Sequence, residues 1–246
     1  MSAIEIQNLV KNFGDITAVD DLTFNVVKGE IFGLLGPNGA GKSTTINILT
    51  GLLEPTSGSA KVGGYDIIKD NGKVRGIIGL CPQETSYYKY MTGRENIELF
   101  GNLHGMPKET LKNRTEMLLE KIGLAEAADR KTGQYSGGMV RRVNLAMALI
   151  HDPEIAFLDE PTVTMDPQSR RATWDFIEEQ KRNNKTVILT THYIEEAEAL
   201  ADRVGIIDHG KLIALDTPKA LMEEHEAEDL EQVFIEITGR KIREAV

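Results

Sequence analysis

Apolar and polar residues alternate near the start of the chain, at Ile4, Ile6 and Leu9 and again at Leu22, Phe24 and Val26. A period of two puts each set on one face, which predicts strands with one buried side. Lys28-Gly29-Glu30 is a turn signal between strands. Ile31-Phe32-Gly33-Leu34-Leu35 is apolar without interruption, the pattern of a central strand covered on both faces. A glycine-rich loop follows, and residues 44–49 read as a helix. Thr92 and Glu95 form a Thr-x-x-Glu capping box, which predicts a helix starting there. The helical pattern continues to Gly123, with Leu111, Leu118 and Ile122 on one face and the glycine as a stop. Residues 85–135 are therefore expected to be a helical insertion with a small core of its own.

Beyond the insertion, Ile155-Ala156-Phe157-Leu158 and Val187-Ile188-Leu189 read as buried strands. Between them lies a helix carrying Trp174, Phe176 and Ile177, where Trp174 is expected to pack in the core. Thr217-Pro218 places an N-cap before a proline at the first helical position and opens a C-terminal helix. Strands separated by helices imply an α/β fold with a mostly parallel sheet. The sequence contains no internal repeat, low-complexity tract or coiled-coil heptad.

Composition then narrows the class. A chain of 246 residues can bury a core without disulfide or metal staples, and 41% hydrophobic with 27% charged residues is ordinary for a globular protein. Acidic residues outnumber basic ones by 38 to 28, a net charge of −10. That balance argues against nucleic acid as a partner, because phosphate neutralisation supplies most non-specific affinity, and it leaves no basic tail for anionic lipid. The single cysteine, Cys81, excludes an internal disulfide and a cysteine-cluster zinc site, and reads as an inert buried thiol. No apolar run approaches the roughly 18–20 residues that cross a bilayer, and Met1-Ser2-Ala3-Ile4-Glu5 lacks a secretory signature. The expectation is a chain soluble by itself, with a membrane partner left open. His104, His151, His209 and His225 have no metal-ligand spacing, and Lys181-Arg182-Asn183-Asn184-Lys185 reads as a solvated helix end.

Three segments carry candidate chemistry. Gly36-Pro37-Asn38-Gly39-Ala40-Gly41-Lys42-Ser43 matches the phosphate-loop pattern G-x-x-x-x-G-K-[ST], and it lies between a buried strand and a helix, as that pattern requires. Its glycines let successive N–H groups point at phosphate oxygens, and the following helix adds the positive end of its dipole. Lys42 would set a point charge by the β- and γ-phosphates, and Ser43 would offer a hydroxyl to Mg²⁺. Lys42 is expected to face solvent, so that its removal leaves the fold intact. Second, Ile155-Ala156-Phe157-Leu158-Asp159-Glu160 delivers two carboxylates to the C-terminal end of a core strand, where ligands bind in open α/β sheets. Asp159 would hold the Mg²⁺ shell, and Glu160 would orient and deprotonate water. Third, Tyr135-Ser136-Gly137-Gly138-Met139 precedes an amphipathic helix with Val143, Met147 and Ile150 on one stripe. On the residues alone it is either a flexible turn or a second anion-binding helix end.

In this order and spacing the chain resembles the ATP-binding subunit of an ATP-binding-cassette (ABC) transporter. The resemblance implies an ABC-type phosphate-loop fold: a mostly parallel core sheet, an N-terminal antiparallel β subdomain and an inserted helical subdomain. It implies one domain over 1–246, with the core in 1–84 and 136–215, the helical insertion in 85–135 and a helical tail in 216–246. ATP and Mg²⁺ are the implied cofactors, held by residues 36–44, from Gly36 through Ala40 and Gly41 to Thr44. Phe13 matches the aromatic residue that stacks on adenine, and Gln83, in Leu80-Cys81-Pro82-Gln83, the glutamine loop that reaches the metal. Asp166 matches the aspartate loop between subunits, and His192 the switch histidine that senses γ-phosphate, so that Glu160, His192 and Lys42 form the implied catalytic set. The implied partners are membrane-spanning permease subunits and a second ATPase subunit, identical or not. Ser136, Gly137 and Gly138 of each subunit complete the other's site, at the cytoplasmic face of the membrane.

Three departures from the family pattern stand out. Tyr135 and Met139 replace Leu and Gln at the ends of the signature, Val163-Thr164-Met165-Asp166 is an uncommon aspartate-loop form, and Phe13 lacks the hydroxyl of the commoner Tyr. More narrowly, residues 93–101 and 230–240 resemble the drug- and daunorubicin-resistance exporter branch. The segment 84–92, with Tyr87, Tyr88, Tyr90 and Met91, lies where this family meets its membrane partner. The competing readings are a soluble ABC ATPase of DNA repair or translation and a generic phosphate-loop kinase or regulatory NTPase. Members of the first class carry long coiled coils, zinc motifs or two cassettes, none of which appears in this sequence, and the second class does not use the signature, glutamine and histidine motifs together.

Overall fold

The computed structural model describes residues 1–239. The end of the expected tail, with Arg240 of the branch-typing segment, lies outside the described residues. Strands β1 (Ser2–Phe13) and β2 (Ile16–Val27) form an antiparallel hairpin in which Ile6 pairs with Phe24 and Leu9 with Leu22. The alternating residues are buried on one side, as their period requires. Strand β3 (Ile31–Leu35) is buried at every position, and the phosphate loop leads from it into α1 (Lys42–Leu49). That helix starts two residues earlier than the sequence suggests, because Gly41 caps it in a left-handed conformation, φ 103°.

Strands β4 (Ser57–Val62) and β5 (Tyr65–Asp66) complete a four-stranded antiparallel sheet, order β2-β1-β4-β5. Next come α2 (Asn71–Ile77) and β6 (Ile78–Cys81), with Cys81 buried as a free thiol. The stretch expected to be helical through Gly123 is two helices, α3 (Gly93–Leu103) and α4 (Lys108–Lys121). The break has a local cause. Gly105 adopts φ +71° and Pro107 caps α4, so neither can continue α3. The Thr92–Glu95 capping box forms reciprocally, and Gly123 turns at φ +65°.

After α5 (Gly137–Leu149) the chain alternates β7 (Ile155–Asp159), α6 (Pro167–Arg182), β8 (Thr186–Thr191), α7 (Ile194–Leu200) and β9 (Arg203–Asp208). It closes with β10 (Lys211–Asp216), α8 (Pro218–Glu224) and α9 (Leu230–Thr238). The second sheet has six strands in the order β10-β9-β3-β8-β7-β6. Its pairs are parallel except β10 with β9.

Two large apolar layers cover this sheet, beside a smaller cluster that packs Leu35, Val204 and Ile206 against Leu230, Val233 and Phe234. One lies between the two sheets, around Ile46, Ile48 and Leu49 of α1, with Phe157 and Ile188 opposite. In the other, Ile97, Leu111 and Leu118 of the helical segment join Ala156, Leu158 and Leu189 of the sheet through Val143, Leu145 and Met147 of α5. The helical segment therefore has no separate core, contrary to expectation. Helix α5 is apolar on nearly every face, so it packs on the sheet and on α3 at once. Trp174 is only partly buried, and its indole N–H donates to Glu196 Oε1 at 3.0 Å. Lys181 is ion-paired to Asp202 and Lys185 to Asp152, and only the middle of that basic run is fully exposed.

Candidate active site

The loop after β3 is built on close backbone approaches. A Cβ on Gly36 would meet Ile207 O at 2.3 Å, and one on Gly41 would meet Ala18 O at 2.3 Å. Gly39 and Gly41 take φ +82° and +103°, open to glycine and strained for other residues. The loop is braced from outside: Ala40 O accepts from Gly210 N at 3.0 Å, and Gly210 O from Asp20 N at 2.8 Å. A cavity of about 370 Å³ lies over it, lined by Phe13, Ala18, Asn38, Gly39, Lys42, Ser43, Thr44, Gln83 and Glu160.

Lys42 does not face solvent as the sequence suggested; it is 5% exposed. The loop curls over its stem, and Nζ donates to Gly36 O at 2.7 Å and Pro37 O at 3.2 Å while lying 3.6 Å from Glu160 Oε1. Burial pulls the Lys42 ammonium below its usual range, and the charges of Glu160 and Asp159 only partly restore it.

Strand β7 ends by presenting Asp159, and the chain turns at Glu160 with φ +50°. That conformation is held by two bonds, from Glu160 N to Thr190 O and to Thr190 Oγ1, each 3.1 Å. Such strain persists only where the surroundings over-determine it. Thr190 Oγ1 also donates to Asp159 Oδ1. The Glu160 carboxylate receives Gln83 Nε2 at 3.3 Å and has His192 Nδ1 3.0 Å away. Burial alone would raise its pKa, but His192 and then Lys42 outweigh it, so the carboxyl sits below the usual range and is ionised at neutral pH. His192 is buried, and neither ring nitrogen has a hydrogen bond of good geometry among the described residues. Ser43 Oγ lies 3.4 Å from Gln83 Oε1.

The structure thus brings Lys42, Ser43, Gln83, Glu160 and His192 into one connected cluster, with Asp159 behind it and Phe13 on its rim. Phe13 is 48% exposed, its ring under Lys11 Nζ at 5.1 Å. Ser136, Gly137, Gly138 and Asp166 do not join it. Ser136 caps α5 through Met139 N, Asp166 caps α6 through Ser169 N, and both are exposed. The signature lies instead against the aspartate loop, Gly137 facing Thr164 and Gly138 facing Met165. The residues present suit a magnesium nucleotide. Backbone N–H groups and a cation already resting on carbonyl oxygens match phosphate, His192 Nε2 is buried with no hydrogen bond among the described residues, and the oxygens of Ser43 and Gln83 are hard donors of the kind Mg²⁺ takes.

Sequence reasoning missed Arg141, Thr190 and Glu196. Only Arg141 carried a signal, as one of two adjacent arginines in a largely apolar helix.

The family model described as "ABC transporter" matches residues 19–163. The chain belongs to this family. It is 45% identical over 214 residues to the linearmycin resistance ATP-binding protein of Bacillus subtilis, covering 87% of this chain and 69% of that protein. It is 42% identical over 244 residues to the doxorubicin resistance ATP-binding protein of Mycobacterium tuberculosis, covering 98% and 72%. Among solved structures, the ATP-binding subunit of an ABC transporter superimposes with a TM-score of 0.88 at 27% identity, over 96% of this chain and 100% of that one. A dimeric ATP-binding cassette in a post-hydrolysis state with ADP and Pi gives 0.80 at 27% identity, over 87% and 98%. This ABC subunit is an ATPase that uses ATP with Mg²⁺ and powers transport, and a soluble repair or translation role is not favoured.

Proposed function

We propose that the chain is the motor subunit of an exporter of drugs or other small molecules, acting as a dimer at the cytoplasmic face of a membrane. One observation carries the assignment of the chemistry: an ionised Glu160 held between Lys42, Gln83 and His192 over a phosphate loop. In this reading Lys42 and the N–H groups of residues 36–44 bind the phosphates, and Phe13 stacks on the base. Ser43, Gln83 and Asp159 hold Mg²⁺, which neutralises phosphate charge when bound. Glu160 accepts the proton of the attacking water, and His192 keeps that carboxylate aimed. Export is supported by the names of the relatives.

The exposed positions of Ser136, Gly137 and Asp166, with Gly138 half-buried beside them, suit residues that serve a second subunit, identical or not. The core in 1–84 and 136–215, the helical part in 85–135 and the tail from 216 are the corresponding division of the chain. No helix among the described residues is long and apolar enough to cross a membrane; the partner in this reading is a membrane-spanning permease. Its contact is best accommodated by a groove of about 700 Å³ between β6 and α3, with Leu52 (60% exposed) and Leu103 (73% exposed) on its lips. Tyr88 and Tyr90 are exposed and follow closely in the chain after Ser86, which lines that groove, and the Tyr88 backbone is pinned by Asn96 and Thr132.

The test is Glu160→Gln. Hydrolysis is expected to fall by about 10² or more, since a general base contributes about 10²–10⁴, while ATP affinity stays near wild type. Gel filtration with Mg-ATP is expected to show dimer where wild type shows mostly monomer. An undiminished rate rejects the assignment.

A further inference from the structure

Arg141 is the largest fully buried side chain of the described residues, 1% exposed, and among them no carboxylate pairs with it. A buried guanidinium without a counter-ion is costly unless its donors are satisfied. Here five main-chain carbonyls do so, and they come from two loops of the site. Nη1 donates to Pro82 O at 2.5 Å and Gln83 O at 2.9 Å. Nη2 donates to Asp159 O and, at 2.8 Å, to Glu160 O, and Nε donates to Pro161 O at 3.3 Å. One turn further along the same face of α5, Asn144 Oδ1 accepts from Ser86 N at 2.9 Å. Helix α5 therefore grips the glutamine loop at both ends, and Glu160 is fixed from two sides, Thr190 on its N–H and Arg141 on its C=O.

We propose that Arg141, assisted by Asn144, is a positioning clamp that makes Gln83 and the strained Glu160 move as one body with the signature helix. The clamp rests on the reading of Glu160 as the base. Helix α5 begins at Ser136 to Gly138, which serve the partner's nucleotide in that reading. A shift of α5 on dimer closure is then transmitted directly to the glutamine and carboxylate of its own site. The planar fork of arginine suits this task, because it presents donors to both loops at once, whereas a lysine ammonium is a compact point.

The test uses the full chain with Arg141→Lys, Arg141→Gln and Asn144→Ala. Readouts are steady-state kcat and KM, affinity for a fluorescent ATP analogue, and amide hydrogen exchange. Arg141→Lys and Arg141→Gln are expected to lower kcat at least tenfold with KM and affinity within threefold. Exchange should rise in residues 82–86 and 159–162 but not in β3. Asn144→Ala is expected to lower kcat about threefold, with faster exchange only around Ser86. A purely structural role would lower thermal stability and leave the kcat of the folded fraction unchanged. Folded Arg141→Lys with kcat within twofold of wild type and unchanged exchange overturns the proposal. If neither arginine variant folds, Asn144→Ala decides it, and unaltered kcat and exchange there overturn it. Failure of the underlying reading looks different: Glu160→Gln then hydrolyses like wild type, whatever the arginine variants do.

Discussion

Within the charged cluster at the site the buried Lys42 ammonium is a cost to folding and the ionised Glu160 offsets part of it, and removing both charges should make the nucleotide-free chain more stable. Lys42 and Glu160 are 5% exposed each and 3.6 Å apart. Burial lowers the pKa of Lys42 despite its acidic neighbours, so its charged form is less favourable in the folded than in the unfolded chain at neutral pH. Lys42→Met alone relieves that cost but deprives Glu160 of a counter-charge. Because His192 lies closer to the carboxylate, at 3.0 Å, the loss is partial. The two effects oppose, and a net change within about 1 kcal/mol is expected, in contrast to the cost of about 3–5 kcal/mol of breaking an isolated buried pair.

Lys42→Met with Glu160→Gln removes both charges at similar volume. Replacing buried ion pairs by neutral groups stabilises by about 1–4 kcal/mol in favourable cases. We expect the lower half of that range, since Gly36 O and Pro37 O lose a donor. At about 2–4 °C per kcal/mol for a domain of this size, the midpoint should rise by roughly 2–10 °C. Calorimetry of the nucleotide-free chain in chelator, beside an ATPase assay in which the double variant is inactive, measures this. A double variant less stable than wild type by more than about 1 kcal/mol would refute the argument and make the cluster a net support of the fold.

Phe13 supplies stacking, about 1–3 kcal/mol per base and indifferent to which purine, so GTP should compete with ATP within about tenfold; a preference above roughly a thousandfold points to an unrecognised residue reading the adenine edge. Leu118→Ala, at a position 2% exposed in the layer joining α4 to α5, should cost about 2–5 kcal/mol in urea unfolding, and a loss below about 1 kcal/mol would mean that α4 is weakly attached. Burial, with the stacked His104 ring 3.6 Å away, lowers the pKa of His151 to about 4, so between that value and about 6.5 the unfolded chain binds the extra proton and stability falls as pH falls. From pH 7.5 to 5.5 the loss is about 1.3 kcal/mol by linkage and about 1 kcal/mol after allowing for its partial exposure; His151→Gln should abolish that difference, and an equal pH dependence in the variant contradicts the assignment.

What the sequence made legible was whatever has a fixed local spacing. The phosphate loop, the acidic pair after β7 and the capping box at Thr92 are each set by neighbours a few residues apart, and the structure contains each where its pattern requires. The alternation in β1 and β2 predicted their buried faces correctly because only one side of that sheet is covered. Strand β4 escaped notice, since it buries little beyond Ala60 and Val62. The break between α3 and α4 was readable in Gly105 and Pro107, but the apolar stripe of α4 concealed it. The depth of Lys42 was not readable, because it comes from the curl of the loop over the stem rather than from hydrophobicity.

Arg141 and Glu196 show the limit more sharply. Each is a charged residue whose partners lie far along the chain and are main-chain carbonyls, hydroxyls or an indole, which leave no charge pattern to match. Glu196 Oε1 accepts from Thr162 at 2.7 Å and from Trp174 at 3.0 Å, tying the helix after His192 to the turn after Glu160 and to the helix after Asp166. Burial pushes its carboxyl up, against those hydrogen bonds. The residues that touch nucleotide in the proposed mechanism are marked by motifs because phosphate chemistry constrains their spacing. The residues that hold them in register are constrained only by where the folded chain places a carbonyl or a hydroxyl. The groups that do the chemistry are therefore legible in one dimension, and the groups that couple them become legible only in three.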